Sequence, residues 1–331
     1  MKRRILAITL IILAAVVFAC GCTGTTTTRQ GGVQEIAVGA LLPLSGDFSE
    51  AGEASLAALE VAAGDINAYF ASIGSAYRER LHIEDTETDP AVALERLKAL
   101  DAQGIRMIIG PGSSAELDAV RTYADEHGII VVNTMSTAPS LAIAGDNVFR
   151  FLPPDNYQAD ATAYYLAEAG ITAVVPVWRG DVWGDELRNL TATAFENRNG
   201  TVYDGVRYTP GSEDYSGAVT DLDVQVGRAI AARGKGNVGV YAIAFNEIVP
   251  IMEAAAATEN LSQVRWYGCD GNVLLDSLAA PRDAARFAAQ TDFTGPAFWQ
   301  SDLVRANEAI FQKIQDRRGS QPNGYGLASY D

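Results

Sequence analysis

Residues 106–141 read RMIIGPGSSAELDAVRTYADEHGIIVVNTMSTAPSL. Met107-Ile108-Ile109 is a short apolar run suited to a buried parallel strand, and Gly110-Pro111-Gly112 breaks it. Ser113-Ser114-Ala115-Glu116 then opens a helix in capping-box form, with Ser113 or Ser114 at its start. Leu117, Val120 and Ala124 recur at helical spacing, Gly128 supplies the stop, and residues 129–132 form a second buried strand. The pattern is a β-α-β unit. Its connection is right-handed, so both strand ends, at Gly110 and Asn133, open onto one edge, where ligands bind. Unpaired N–H groups and the helix dipole favour negative charge there. The Ser114 and Thr137 hydroxyls add donors suited to a small carboxylate, which Gly112 and Ser114 let approach closely.

The same alternation extends in both directions. Upstream, residues 36–44 read as a strand, residues 43–47 as a turn, and Leu59, Ala62, Ile66 and Phe70 as one helix face. A strand at 81–84, an acidic loop at 85–90 and a helix carrying Leu94, Leu97 and Leu100 follow, ended by Gly104. Downstream, the apolar stretch 148–151 meets Pro153-Pro154, whose fixed φ angles break any element and mark a crossing between lobes. The plan then restarts. A helix is expected around 161–169, strands at 171–178, 202–208, 238–245 and 264–267, and helices at 216–233 and 247–258. The last strand closes on Gly268-Cys269-Asp270-Gly271, which sets an acid at a strand's carboxyl end. Residues 291–295 read as a crossing back, and Val304, Phe311 and Ile314 as a helix of the first lobe.

With 331 residues, two lobes are the natural division: 35–151 with 295–331, and 152–294. Lys2, Arg3 and Arg4 precede an apolar run from Ile5 to Ala19, which ends at Cys20-Gly21-Cys22, in the order of an export signal. A cysteine at the cleavage point points to a lipoprotein signal over 1–22, with Cys22 favoured over Cys20 as the lipidated residue and 23–34 as a flexible tether. The alternative is an uncleaved anchor helix. Net charge is −16, and removing three basic residues with the leader makes the remainder more acidic, which argues against nucleic-acid binding. Only Cys269 remains in the folded part, so no internal disulfide or cysteine-rich metal site is expected. Asn189, Asn199 and Asn260 open acceptor sequons for an exported chain, each equally compatible with chance.

Other chemistries fit less well. The third glycine of a dinucleotide-binding fingerprint is replaced within the serine pair, and Pro111 removes one N–H donor, which weakens an NAD-dependent enzyme reading. No Gly-x-Ser-x-Gly elbow is present, and His82 and His127 show no metal-ligand spacing to carboxylates. No catalytic residue, metal or cofactor is expected.

Several motifs in order and spacing resemble the leucine/isoleucine/valine-binding proteins of ABC importers. They are Pro43-Leu44-Ser45-Gly46, Gly110-Pro111 with Ser113-Ser114, Ser136-Thr137-Ala138-Pro139, Phe149-Arg150, Trp183-Gly184, Asp214-Tyr215-Ser216 and Gly268-Cys269-Asp270-Gly271. The resemblance covers nearly everything after Glu35 and implies an α/β fold of two doubly wound parallel-sheet lobes joined by hinge strands. It further implies a monomeric, extracytoplasmic, lipid-anchored receptor that delivers an amino acid to a permease; a sensory receptor for amides or other small solutes is the alternative. By position, Ser114 and Thr137, with backbone groups near Met135 and Ser136, resemble the residues that hold the ligand α-carboxylate, and Asp270 falls where the family has an acid for the α-ammonium. Trp183 and Phe245 stand where tyrosines are usual, Ala51 where an aromatic is common, and Asp270 is one methylene shorter than the glutamate of similar proteins. These departures reshape the side-chain pocket. The family also continues beyond a Tyr-Asp like 330–331, so the chain is expected to lack its C-terminal end.

Overall fold

The computed structural model describes residues 32–280, 282–297 and 307–331. The leader, both candidate lipidation cysteines, most of the tether and Val304 lie outside these residues. The first sheet contains β1 (Gln34–Leu42), β2 (Tyr77–Asp85), β3 (Met107–Ile109), β4 (Ile130–Asn133) and β5 (Val148–Arg150), in the order β2-β1-β3-β4-β5. Between these strands run α1 (Ser49–Ser72), α2 (Pro90–Ala102) and α3 (Ser114–His127). The β3-α3-β4 unit is parallel, with Ile108 opposite Val131, and Leu117, Val120 and Ala124 are fully buried beneath it. Gly128 ends α3 with φ +63°, the left-handed stop that the sequence implies.

The second sheet has β10 (Arg265–Tyr267), β9 (Val238–Ile243), β6 (Ala173–Arg179) and β7 (Thr201–Val202) in that order, with β8 (Val206–Tyr208) also pairing with β6. Every strand pair in it whose register is resolved is parallel. Its helices are α4 (Asn156–Glu168), α5 (Val182–Glu196), α6 (Ser216–Arg233), α7 (Ile248–Ala255), α8 (Asp276–Ala279) and α9 (Asp283–Gln290). The architecture is thus the doubly wound α/β form read from the sequence.

Three local differences have physical causes. Residues 202–208 form two strands because Gly205 adopts φ +73°, at a place where a Cβ would stand 2.2 Å from Pro176 O, and this turn interrupts the ladder. Helix α4 begins at Asn156, five residues early, with Asp155 at its N-cap directly after Pro153-Pro154, which end the preceding segment. Leu59 and Ala62 are buried, but Ile66 is 41% exposed, and the first half of α1 is instead buried nearly all round. That burial comes from α10 (Glu308–Arg318) and α11 (Gly324–Tyr330), which lie on α1, with Ile314 packed on Ala57 and Ala58.

Helix α11 approaches α1 closely because Gly326 has no side chain: a Cβ there would stand 3.0 Å from Ala54 O. Gly326→Val should push the two helices apart at an overpacking cost of about 1–3 kcal/mol. A melting curve should show a fall of several degrees, and an unchanged midpoint would mean that α11 is not held against α1.

Candidate functional site

The loops that position the site all leave carboxyl ends of strands. After β3, Ser113 caps α3: its Oγ accepts from Glu116 N at 3.2 Å, and Glu116 Oε2 accepts from Ser113 N at 2.6 Å. Ser113 is therefore committed to the capping box. Ser114 turns its hydroxyl toward the next loop, 2.8 Å from Ser136 Oγ, where it also accepts from Ala138 N at 3.3 Å. After β4, Asn133 organises a turn by accepting from Met135 N at 3.2 Å and Ser136 N at 2.7 Å, while its Nδ2 donates to Pro111 O at 2.6 Å. One buried asparagine thus fixes both turns. Ser114, Met135, Ser136 and Thr137 are all buried.

On the second sheet, Asp270 follows β10 and is only 7% exposed. Its Oδ1 accepts from Gln158 Nε2 at 2.7 Å, its Oδ2 accepts from Tyr325 Oη at 2.7 Å, and its backbone N–H donates to Gln158 Oε1 at 3.1 Å. The same Gln158 Nε2 donates to Asp155 Oδ1 at 2.6 Å, so one amide bridges two buried carboxyl groups. Asp155 N in turn donates to Thr137 O at 3.0 Å, which ties the acids to the second turn of the first sheet. Burial, and then the neighbouring Asp270, push the Asp155 carboxyl up to about 8. Burial also raises Asp270, against the hydrogen bonds from Gln158 and Tyr325. A pair of carboxyls sharing one amide in a dry setting favours a cation between them.

The remaining sequence-derived positions fall around these two groups. Ser114, Met135, Thr137, Trp183 and Phe245 line one small cavity of ≈ 10 Å³, and Ala51 and Asp270 line a second of ≈ 20 Å³. Phe48 and Tyr325 border both, so these two rings form the partition between them. Phe48 stacks on Phe245 at 3.9 Å, Trp183 on Phe245 at 4.7 Å, and Phe48 meets Tyr325 edge-on at 5.4 Å. Phe48 lies one helical turn before Ala51 and supplies the aromatic surface that Ala51 lacks. Cavities this small hold about one water. Gln158 and Asp270 also border a roomier cavity of ≈ 500 Å³, walled by Pro153, Tyr157, Ala161, Pro296 and Ala297.

The two sheets are latched around the site. Asn246 N donates to Asp47 O at 2.8 Å, Asn246 Nδ2 to Ser49 Oγ at 3.0 Å, and Gly211 N to Asp47 Oδ2 at 3.0 Å. Glu50 accepts from Asp276 N at 2.6 Å and Ser277 N at 3.0 Å. Beneath Phe245 lies Arg179, whose Nε donates to Asp181 at 2.6 Å and whose Nη1 donates to Glu247 at 2.6 Å, with Cζ 4.1 Å from the ring centre. Burial opposes its charge, but Glu247 and Asp181 hold the guanidinium protonated above its ordinary range. Among the described residues no group of three or more His, Cys, Asp and Glu could hold a metal ion.

Phe48, Asp155, Gln158, Arg179, Glu247 and Tyr325 carried no signal in the sequence reading. Asp155 and Gln158 could have been found from their i, i+3 spacing directly after Pro153-Pro154, which puts both in the first turn of a helix at the lobe crossing.

A family model described as "Periplasmic binding protein" matches residues 35–331. An uncharacterized protein of Methanocaldococcus jannaschii, MJ1266, is 31% identical over 97% of this chain and 77% of its own length. The Leu/Ile/Val-binding protein BraC3 of Rhizobium johnstonii is 26% identical over 57% of this chain and 51% of its own. BasB of Halobacterium salinarum, a substrate-binding protein of a chemotactic signal transduction system, is 30% identical over 57% of this chain and 47% of its own. The chain thus spans about half the length of these last two relatives. Among solved structures, the leucine-binding protein LivK of Thermotoga maritima superposes with a TM-score of 0.68 at 19% identity, covering 89% of this chain and 80% of that one. A solute-binding protein of Rhodopseudomonas palustris in complex with benzoate gives 0.69 at 21% identity, covering 90% and 78%. At these identities the structures speak for the shared fold.

Proposed function

Because the chain belongs to the periplasmic binding protein family, we propose that it is an extracytoplasmic receptor that captures a small α-amino acid with an apolar side chain and delivers it to an ABC permease. The observation that carries this reading is the buried Asp155–Gln158–Asp270 group beside the Ser114 and Thr137 turns. The turns suit a carboxylate, and the acids suit the ammonium one carbon away. Each charge-assisted hydrogen bond there contributes on the order of 1.5–3 kcal/mol. The R. palustris neighbour holds benzoate, which has no cation and would bring a further negative charge against two buried acids here. Side-chain selectivity falls to Phe48, Met135, Trp183 and Phe245, with Ala51 leaving room. In this reading residues 35–151 and 295–331 form the carboxylate lobe, 152–294 form the ammonium lobe, and Cys22 carries the lipid that keeps a monomeric receptor at the membrane. No reaction is catalysed.

A thermal-shift screen against amino acids, amides and benzoate tests the proposal. A ligand at one hundred times its Kd stabilises the folded chain by about 2.7 kcal/mol. An apolar α-amino acid should raise the melting point and benzoate should not; the reverse pattern would refute the reading. Ser114→Ala should weaken amino-acid binding by about 1 kcal/mol, or roughly fivefold, because the backbone donors remain. An equal loss for a ligand without a carboxylate would contradict the role given to Ser114.

The likeness to BasB supports a second reading, in which the same capture reports to a chemotaxis receptor. Neighbouring permease and ATPase genes favour import, whereas a transducer gene favours sensing.

A further inference from the structure

We infer that Asn199 is an N-glycan acceptor: its amide, at the turn between α5 and β7, and the Thr201 hydroxyl two residues on take an oligosaccharide at the end of the second sheet opposite the cleft. This goes beyond solute capture, and of the reading above it uses only the extracytoplasmic placement of the chain.

N-linked transfer needs two groups presented together on an accessible turn, an asparagine amide free to act as nucleophile and a hydroxyl two residues later. The chain carries three such sequons, and the fold treats them differently. Asn189 lies within α5, and the Thr191 hydroxyl is buried, donating to Tyr241 Oη at 3.5 Å. Residues two apart on a helix face different ways, so that amide and hydroxyl cannot be presented together unless α5 unwinds. Asn260 is half-buried, and its Nδ2 donates to Asp223 Oδ2 at 2.9 Å and Asp223 O at 3.3 Å. Its amide is already in use.

Asn199 differs from both. It is exposed, it stands past the end of α5 at φ +63°, and its side-chain amide has no hydrogen bond among the described residues. Backbone bonds fix the turn: Asn199 N donates to Glu196 O at 2.9 Å and Gly200 N to Phe195 O at 3.0 Å. A Cβ at Gly200 would stand 2.4 Å from the Phe195 ring, so the middle residue of this sequon has to be glycine. The left-handed turn accounts for an asparagine at 199 but leaves its amide unused. Thr201 opens β7, and its Oγ1 accepts from Arg233 Nη2 at 3.1 Å, which leaves its own proton to a transferase. Thr201 pairs in parallel with Ala173, the first residue of β6, so the sequon lies at the amino end of the sheet, whereas Asp270 follows the carboxyl end of β10. A sugar at Asn199 thus leaves the cleft free and shields the edge of the sheet at β7 from other chains. In the transfer, Asn199 Nδ2 attacks the anomeric carbon of an oligosaccharide carried on a polyprenyl pyrophosphate. The N–C bond forms as the C–O bond to the pyrophosphate breaks, one amide proton passes to a base of the transferase, and the lipid pyrophosphate leaves.

The test incubates the purified, folded chain with an oligosaccharyltransferase and a polyprenyl-pyrophosphate-linked oligosaccharide, then maps the added mass by peptide fragmentation. One oligosaccharide should appear on the peptide that carries Asn199. It should vanish in Asn199→Gln and in Thr201→Val, and persist in Thr201→Ser, Asn189→Gln and Asn260→Gln. Valine keeps a β-branched residue on the edge strand, so its effect reads the hydroxyl and not the fold. A synthetic peptide of residues 196–204 is the positive control: if the peptide is modified and the folded chain is not, or if the sugar lands on Asn189 or Asn260, the assignment falls. It falls equally if chain taken from the outer membrane face of a cell that makes such lipid-linked sugars lacks the added mass at Asn199. Cell fractionation reads export separately, and chain confined to the cytosol yet modified at Asn199 in the purified reaction would sink the extracytoplasmic placement and keep the acceptor.

Discussion

Asp270→Ala should lower amino-acid affinity by roughly thirtyfold or more, because truncation leaves the ligand ammonium in a dry cleft without its main acceptor, at a cost on the order of 2–5 kcal/mol. The unliganded protein should respond in the opposite direction. Removing Asp270 takes one of two neighbouring buried carboxyls away from Asp155, so the variant should unfold at the same or a higher denaturant concentration near neutral pH. Binding and stability then separate, as they do where a site holds strain for a ligand. Titration calorimetry and urea unfolding on the same preparation check both. Unchanged affinity would remove Asp270 from the site, and a large loss of stability would make it a structural anchor for Gln158 and Tyr325.

Arg179→Met should give the largest loss of stability. The guanidinium is buried between Asp181, Glu247 and the Phe245 ring, with Asp47 3.8 Å away across the interface, and Tyr208 also donates to Glu247 at 2.9 Å. Breaking such a pair from one side leaves Glu247 without its counter-charge and costs about 3–5 kcal/mol. The urea midpoint should fall steeply with an unchanged m-value, and adding Glu247→Leu should recover part of the loss. A single-variant loss below about 1 kcal/mol would mean that water already solvates the cluster. The Asp47 contact and the Phe245 stack also predict looser closure of the two sheets, read as weaker ligand binding in the same variant.

The parts of the candidate site that lie in continuous sequence were legible there. Ser114 and Thr137 stand at turns whose flanking strands have unambiguous apolar runs, and the capping box at Ser113 and Glu116 is a short-range pattern with a single geometric solution. Asp270 was readable because it lies in the turn just past the carboxyl end of a strand, β10. Phe48 and Tyr325 were not, since Phe48 stands just before α1 and Tyr325 on α11, and packing with other elements brings each of them there. Tyr325 reaches Asp270 only because Gly326 lets α11 settle on α1, a contact between residues more than two hundred positions apart.

The order of strands and helices, the parallel sheets and the existence of two anion-suited turns follow from the sequence alone, because hydrophobic period, capping and turn chemistry act over a few residues. Which side chains face one another across the cleft was decided by the tertiary structure. The shared amide between Asp155 and Asp270, the aromatic partition and the Arg179 cluster all join segments distant in the chain, and burial, which gives those groups their electrostatic character, exists only once the two sheets are packed together.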